Sequence, residues 1–299
     1  VDRFAAMKTF VRVAELGSLS AAARELGLTQ PAVSQQMAAL ERHLNMRLLH
    51  RSTRQLALTD SGETYYQRAR HILQSVEEAE EALAGLTASV QGNLRVHAPV
   101  GFGQLHLTPM LIDFQRQHPD LTVEFILDDR FADLVAEGVD VAIRFGALAS
   151  SGLVARKLAT FERILVASPD YLARHGSPLL PEELSEHRHV RFIWSPQGEA
   201  VPLIGPEGPI VVPVKSGFLA NNAFVLNQAL CAGVGIGGAQ VPLVQPFLDD
   251  GTLVRVLPAY RYAPMDMHVV YASAKFLPRK VKAFVDHLAA GLSAIPGLN

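Results

Sequence analysis

The sequence of 299 residues predicts an α+β chain in two parts: a small helical module with a β-wing and a long helix behind it, then a two-lobed α/β domain. Three observations carry this prediction. Helical periodicities separated by very short turns crowd into residues 3–44. A stripe of apolar residues at alternating steps of four and three runs from residue 65 to residue 86. Beyond residue 93, strand-like and helix-like runs alternate to the end of the sequence.

Composition bounds the possibilities. Hydrophobic residues make up 49% and charged residues 19%, which is enough apolar material for two or three cores and carries no signature of disorder. One cysteine excludes an internal disulfide, a CxxC redox pair and a thiolate zinc site. No apolar run reaches the ~18 residues of a membrane span, and Asp2, Lys8, Arg12 and Glu15 stand where a signal peptide is uncharged. The expectation is a cytoplasmic protein with no membrane partner. The net charge of -2 is an average over unlike segments. Residues 1–60 hold eight bases against five acids, and residues 61–90 two against five, so attraction to phosphate belongs to the first segment.

In that segment Phe4, Met7, Phe10, Val11 and Ala14 recur at helical spacing up to the stop at Gly17. Ser18 or Ser20 suits the cap of a short second helix that ends at Gly27. Thr29 caps a longer third helix that tolerates Pro31 in its first turn. Val33, Met37, Leu40 and Leu44 form the buried stripe of this helix and leave Gln30, Ser34, Gln35 and Ala38 on another face. Gln and Ser can hydrogen-bond base edges in a DNA major groove, and Pro31 or Ala32 can touch a thymine methyl. An ordinary solvated face is the alternative for these residues taken alone. The short helix, tight turn and long helix together fit a helix-turn-helix. Arg47, Arg51 and Arg54 then surround a short strand and a polar turn, forming a basic wing suited to phosphates or a narrow minor groove.

The run FVRVAELGSLSAAARELGLTQPAVSQQMAALERHLNMRLLHRSTRQLALTDSG resembles the LysR-type transcriptional regulators almost position by position. The resemblance implies a winged helix-turn-helix followed by a periplasmic-binding-protein-like effector domain. It places Gln30, Pro31, Ser34 and Gln35 at recognition-helix positions, with Ala32 beside them, and Arg51, Thr53 and Arg54 at wing positions. Gln35 stands where many members carry Arg or Lys.

Asp60 and Glu63 have capping-box spacing at the head of a long helix. Its stripe, Tyr65, Ala69, Ile72, Val76, Ala79, Leu83 and Leu86, has the period of a helix that pairs with another and predicts a dimer seam. A dimer places two recognition helices about one DNA turn (~34 Å) apart on a partly palindromic site. The expected boundaries are 1–60 for the DNA-binding module, 61–88 for the linker helix, 89–93 for a hinge and 94–299 for the effector domain. Within the last, one lobe takes residues 94–162 and 266–299 and the other 163–265.

In the effector domain the runs NLRVHAPV, LTVEFIL, VDVAIRF, ERILVASP, HVRFIW, LVRVLP and MHVVYAS read as strands. LTPMLIDFQRQHP, FADLVAEG, NNAFVLNQALCAG and PRKVKAFVDHLAAGL read as helices. Ligands of such folds sit beyond strand C-termini, facing helix N-termini. Candidates there are Val100, Gly101, Phe102 and Gly103 in the first loop, Asp128, Arg144 and Phe145 at strand ends, and Trp194, Asn221 and Asn222 in the second lobe. Arg144 can pair a carboxylate, so an anionic effector, aromatic or aliphatic, is expected. Core packing of Phe102 and Trp194, a simple cap at Asn222 and an interlobe ion pair at Arg144 are the competing assignments. GVGIGG, residues 233–238, follows a helix and reads as a helix end and turn in preference to a dinucleotide loop. Cys231 reads as core, and no nucleophile or metal motif appears, so neither catalysis nor a cofactor is expected. The expected partners are double-stranded promoter DNA, a small-molecule effector, a second copy in a dimer or tetramer, and RNA polymerase if the protein activates. A solute-binding protein of transport and an enzyme on the α/β half are the rival readings.

Overall fold

The computed structural model describes residues 2–51, 56–83, 89–130, 134, 137–148, 153–193, 198–271 and 277–299. The chain divides into two compact units, Val1–Ala88 with Asp133–Val139, and Ser89–Ala132 with Asp140–Asn299.

The first unit starts with α1 (Arg3–Leu16), capped by the Asp2 carboxylate, which accepts from the amides of Phe4 and Ala5, and closed by Gly17 at φ 59°. Then come α2 (Leu19–Glu25), capped by Ser18, and α3 (Gln30–Leu44), capped by Thr29 and ended by Asn45 at φ 52°. The wing is an antiparallel pair, β1 (Leu49–Arg51) and β2 (Leu56–Leu58). The linker helix α4 spans Asp60–Leu83. Its cap is Thr59, whose hydroxyl accepts from the amide of Gly62, so the capping-box expectation for Asp60 and Glu63 is corrected by one residue. Phe10, Val13, Val33, Met37, Leu40, Leu48 and Leu49 form the core that binds these pieces together, and Ala69 and Leu73 of α4 are buried in it.

In the second unit the elements run β3 (Gly92–Ala98), the single turn α5 (Val100–Phe102), a wide turn at Gly103–Leu107, α6 (Thr108–Gln117), β4 (Leu121–Leu127), β5 (Val141–Phe145), β6 (Val154–Phe161) and β7 (Arg163–Ala167). There follow α7 (Pro169–His175), a tight helical turn at Pro181–Glu186, β8 (Arg188–Phe192), β9 (Ala200–Gly205), β10 (Gly208–Pro213) and β11 (Lys215–Ala220). The chain closes with α8 (Ala223–Cys231), β12 (Ile236–Gln240), α9 (Val241–Asp249), β13 (Val254–Arg255), β14 (Met265–Tyr271) and α10 (Arg279–Leu292).

Two five-stranded sheets result, ordered β4-β3-β5-β14-β6 and β11-β8-β12-β7-β13, with β9 and β10 as a separate hairpin. The parallel pattern expected from sequence is interrupted: β14 runs antiparallel to β5 and β6, and β7 antiparallel to β12 and β13. These are the strands next to the places where the chain crosses between lobes, at Glu162 going out and before Met265 coming back. The first sheet packs one face against α6 and α10 through Leu94, Val96, Ile143, Met267, Phe114, Phe284 and Leu288.

Several sequence expectations change. β3 begins at Gly92, inside the stretch read as a hinge. GVGIGG supplies the turn at Gly233 (φ 70°) and then the start of β12, because Cβ atoms at Gly237 and Gly238 would lie 2.6 Å from the Val190 carbonyl oxygen and from Tyr262. LVRVLP shrinks to the two residues of β13, after which Leu257 takes φ 48°. The expected helix FADLVAEG falls largely outside the described residues; its Leu134 is buried.

Candidate functional site

Two surfaces carry chemistry. On the first unit, Gln30, Pro31 and Gln35 are exposed along α3 and Ala32 and Ser34 are half-buried, while Val33, Met37 and Leu40 fill the core beneath. The helix is held from behind by a hydrogen bond of 2.6 Å between the Thr9 hydroxyl of α1 and Gln36 Oε1. Arg12 pairs with Glu15 and with Glu25, and Glu15 reaches Tyr66 (3.3 Å) and Arg70 (3.8 Å), so one charged network joins α1, α2 and α4. These bonds hold Arg12 above, and Glu25 below, its ordinary range, with the Arg12–Glu25 hydrogen bond the chief cause in each case. In the wing, Arg51 ends β1, and Thr53 and Arg54 lie outside the described residues.

Glu41 was not singled out by the sequence reading. Its carboxylate is buried near the end of α3 and accepts from the amides of Leu48 (2.9 Å) and Leu49 (3.2 Å). The available signal was a charged residue four positions after Met37, on the buried side of the helix.

The dimer stripe is corrected at its start. Ala69 is buried in the module's own core, and Tyr65 packs there too, its ring 5.4 Å from that of Phe10. A helix that must first cover the three-helix core has its early turns already engaged. Ile72 is 45% exposed and Val76 half-buried; Ala79 and Leu83 belong to α4, and Leu86 lies outside the described residues.

The second surface lies at the strand ends of the two lobes. Arg144 is the penultimate residue of β5, on the face opposite Val141 and Ile143, and is 6% exposed. Its Nη1 donates to Nδ1 of buried His97 (3.1 Å) and to the Arg130 carbonyl (3.4 Å). Burial, reinforced by the Arg144 charge and opposed by Asp128, holds His97 at about 4, so the ring is neutral and accepts at Nδ1. Asp128 is gripped by the Arg130 guanidinium (2.9 Å), whose hydrogen bonds hold it below the usual carboxylate range. Asp129 accepts from the amide of Val100 (3.1 Å), and burial pushes it upward. On the other lobe Asn222 caps α8 through the amide of Val225 (3.2 Å), and Asn221 is exposed.

The first-loop residues divide by role. Phe102 is 1% exposed and packs edge-on against Phe145 (5.5 Å), which in turn meets Phe161 (4.8 Å), so Phe102 is a core residue and is corrected as an apolar face for ligand. Gly103 serves packing: a Cβ there would stand 2.2 Å from Leu127 Cδ2. At Gly101 a Cβ would stand 3.0 Å from Leu243 Cδ1 and 3.2 Å from the Ala223 Cβ, both of the other lobe. His106 Nε2 lies 2.8 Å from the Pro242 carbonyl across the same seam. Val100 is half-buried at the head of α5, and Trp194 lies outside the described residues. Among the described residues no cluster of His, Cys, Asp and Glu could hold a metal, and no helix is long and apolar enough to cross a membrane.

A helix-turn-helix with a wing, followed by a two-lobed ligand-domain fold, defines a DNA-binding transcriptional regulator with an effector-binding domain. Residues 4–63 match the bacterial regulatory helix-turn-helix proteins of the lysR family, and residues 87–293 match the LysR substrate binding domain. The chain belongs to the LysR family. It is 37% identical over 291 residues to an HTH-type transcriptional repressor of Pseudomonas aeruginosa, covering 96% of this chain and 91% of the relative. It is 36% identical over 295 residues to an HTH-type transcriptional regulator of Xanthomonas campestris, covering 95% and 84%. Among solved structures it is similar to CrgA, a LysR-type regulator from Neisseria meningitidis, with TM-score 0.64, 31% identity and coverage of 96% of this chain and 98% of that one.

Proposed function

We propose that this LysR-type regulator is controlled by a small anionic molecule bound at the strand ends between its two lobes, with Arg144 pairing the anion. The observation that carries this reading is the buried Arg144 guanidinium beside a His97 ring that is held neutral, a cation placed near the mouth of two strands and oriented by an uncharged acceptor. We assign Asp128 and Phe145, at strand ends of one lobe, and Asn221 and Asn222, at the head of α8 in the other, to the same site. The effector acts by preferring one lobe arrangement. Binding without turnover is the expected chemistry, in the cytoplasm.

On the DNA side, Gln30, Pro31, Ala32, Ser34 and Gln35 approach base edges, and Arg51, Thr53 and Arg54 approach the backbone of a partly palindromic promoter site. The protein works as a dimer or tetramer paired along α4 from Ile72 onward, with RNA polymerase as the further partner if it activates. The test is thermal unfolding against a panel of small aromatic and aliphatic acids. A ligand at ~100 times its Kd stabilises the fold by ~2.7 kcal/mol. The shift is expected to vanish in Arg144→Ala; an equal shift in that variant overturns the assignment, and turnover of the bound acid overturns the non-enzymatic reading.

A further inference from the structure

The wing of a DNA-binding module is a two-stranded hairpin, too small to hold its own orientation. Here its base is anchored from two directions. From α3, Glu41 Oε1 accepts from two consecutive amides, Leu48 at 2.9 Å and Leu49 at 3.2 Å, while Oε2 lies 3.8 Å from Arg47 Nη1. From the start of α4, the Thr59 hydroxyl donates to the Arg47 carbonyl (2.7 Å) and the Thr59 amide to the Leu48 carbonyl (3.0 Å). Gly62 closes over the same place, since a Cβ there would stand 2.0 Å from the Leu48 oxygen. The backbone of residues 47–49 is thus fixed on both sides, yet the Arg47 side chain is 76% exposed.

A buried carboxylate is a costly way to fill space. Hydrophobic residues of like volume pack as well, and a carboxylate survives there only when its oxygens are met by donors. At Glu41 the donors are the backbone amides that fix where the wing leaves the recognition helix. An arginine on a backbone held this firmly keeps its position relative to α3, so its contact with a phosphate is set by the fold.

We propose that Glu41 is the positioning residue of the wing and that it presents Arg47 to a DNA phosphate. The proposal rests on the DNA-binding activity alone and is independent of any effector. It is tested on the full chain by the salt dependence of binding to a labelled random-sequence duplex, which counts phosphates neutralised. Each phosphate contributes ~0.9 to the slope of log affinity against log salt. Arg47→Gln is expected to reduce the slope by about one for each protomer bound. Glu41→Leu, which removes both acceptors, is expected to lose the same slope and to bind more weakly still, measured below its unfolding midpoint. Glu41→Gln keeps one oxygen for the two amides and is expected to retain the wild-type slope. A destabilised but correctly arranged wing lowers the folded fraction and leaves the slope unchanged, which separates positioning from stability. An unchanged slope in Arg47→Gln, a wild-type slope in Glu41→Leu, or a loss in Glu41→Gln equal to that in Glu41→Leu overturns the proposal. Should Glu41→Leu fail to fold, the Arg47→Gln slope still decides whether Arg47 meets a phosphate, and Glu41→Gln whether an oxygen acceptor suffices.

Discussion

Replacing Lys280 by Met tests how the second unit is tied together. Lys280, the second residue of α10, has a side chain only 7% exposed, and its Nζ stands 3.4 Å from Asp140 Oδ2, itself 6% exposed. The same ammonium donates to the Asn93 carbonyl, and the same carboxylate oxygen accepts from the Arg95 amide at 2.8 Å. One buried ion pair therefore joins α10, β3 and the residue before β5. Methionine keeps most of the volume but removes the buried ammonium that faces the Asp140 carboxylate. Breaking such a pair costs about 3–5 kcal/mol, and the surviving amide hydrogen bond offsets about 1 kcal/mol of it. The expected loss is about 2–4 kcal/mol, read as a lower urea midpoint for the second unit at unchanged slope. The double variant Lys280→Met with Asp140→Asn is expected to regain much of the loss, because the amide oxygen still accepts from Arg95 and no charge is left stranded. A loss below about 1 kcal/mol, or a double variant no better than the single one, would refute the reasoning.

Acid sensitivity follows from His97 and His189, both held at about 4 by burial in the fold. Between pH 7 and 5 the unfolded chain takes up protons that the folded chain refuses, so stability falls with pH by about 1–2 kcal/mol per histidine; an equally steep pH dependence in His97→Gln would contradict its share. Gly101→Val drives a branched side chain against Leu243 and Ala223 across the lobe seam and is expected to cost about 1–3 kcal/mol; a wild-type unfolding midpoint would show the seam to be slack. Gly62→Ala forces apart two backbone segments, since the Leu48 oxygen cannot yield as a flexible side chain would; the first unit is expected to unfold earlier and DNA affinity to fall, and neither changing would count against the close approach.

Periodicity made most of the first unit legible. The stripe Val33, Met37 and Leu40 is buried as expected, and Ser18, Thr29 and Asn222 cap the helices assigned to them. What escaped the sequence depends on long-range contact. The hairpin of β9 and β10 carries Pro202, Pro209 and Pro213, which weaken any strand signal, and it exists as a separate two-stranded piece. β12 reads as a turn because Gly237 and Gly238 are needed where Val190 and Tyr262 press close. At the lobe seam, the sequence placed Arg144 at a strand end but not the neutral histidine beside it, because His97 pairs with it across the sheet from a strand 47 residues earlier. The early part of the α4 stripe misled for a similar reason: a regular repeat shows which residues want cover and is silent on whether the cover is a partner or the chain's own core.

The linker helix has a mechanical consequence. With 24 residues and a rise of ~1.5 Å each, α4 is a rod of ~36 Å. Its first turn is bolted to the wing through Thr59 and Gly62, and its third and fourth turns to the three-helix core through Ala69 and Leu73. A tilt of ~10° at one end of a rod that long moves the other by ~6 Å, nearly two base-pair steps of ~3.4 Å. The reading head and its handle turn as one piece, so a small angular change along the handle is enough to slide the recognition helix out of register with its groove.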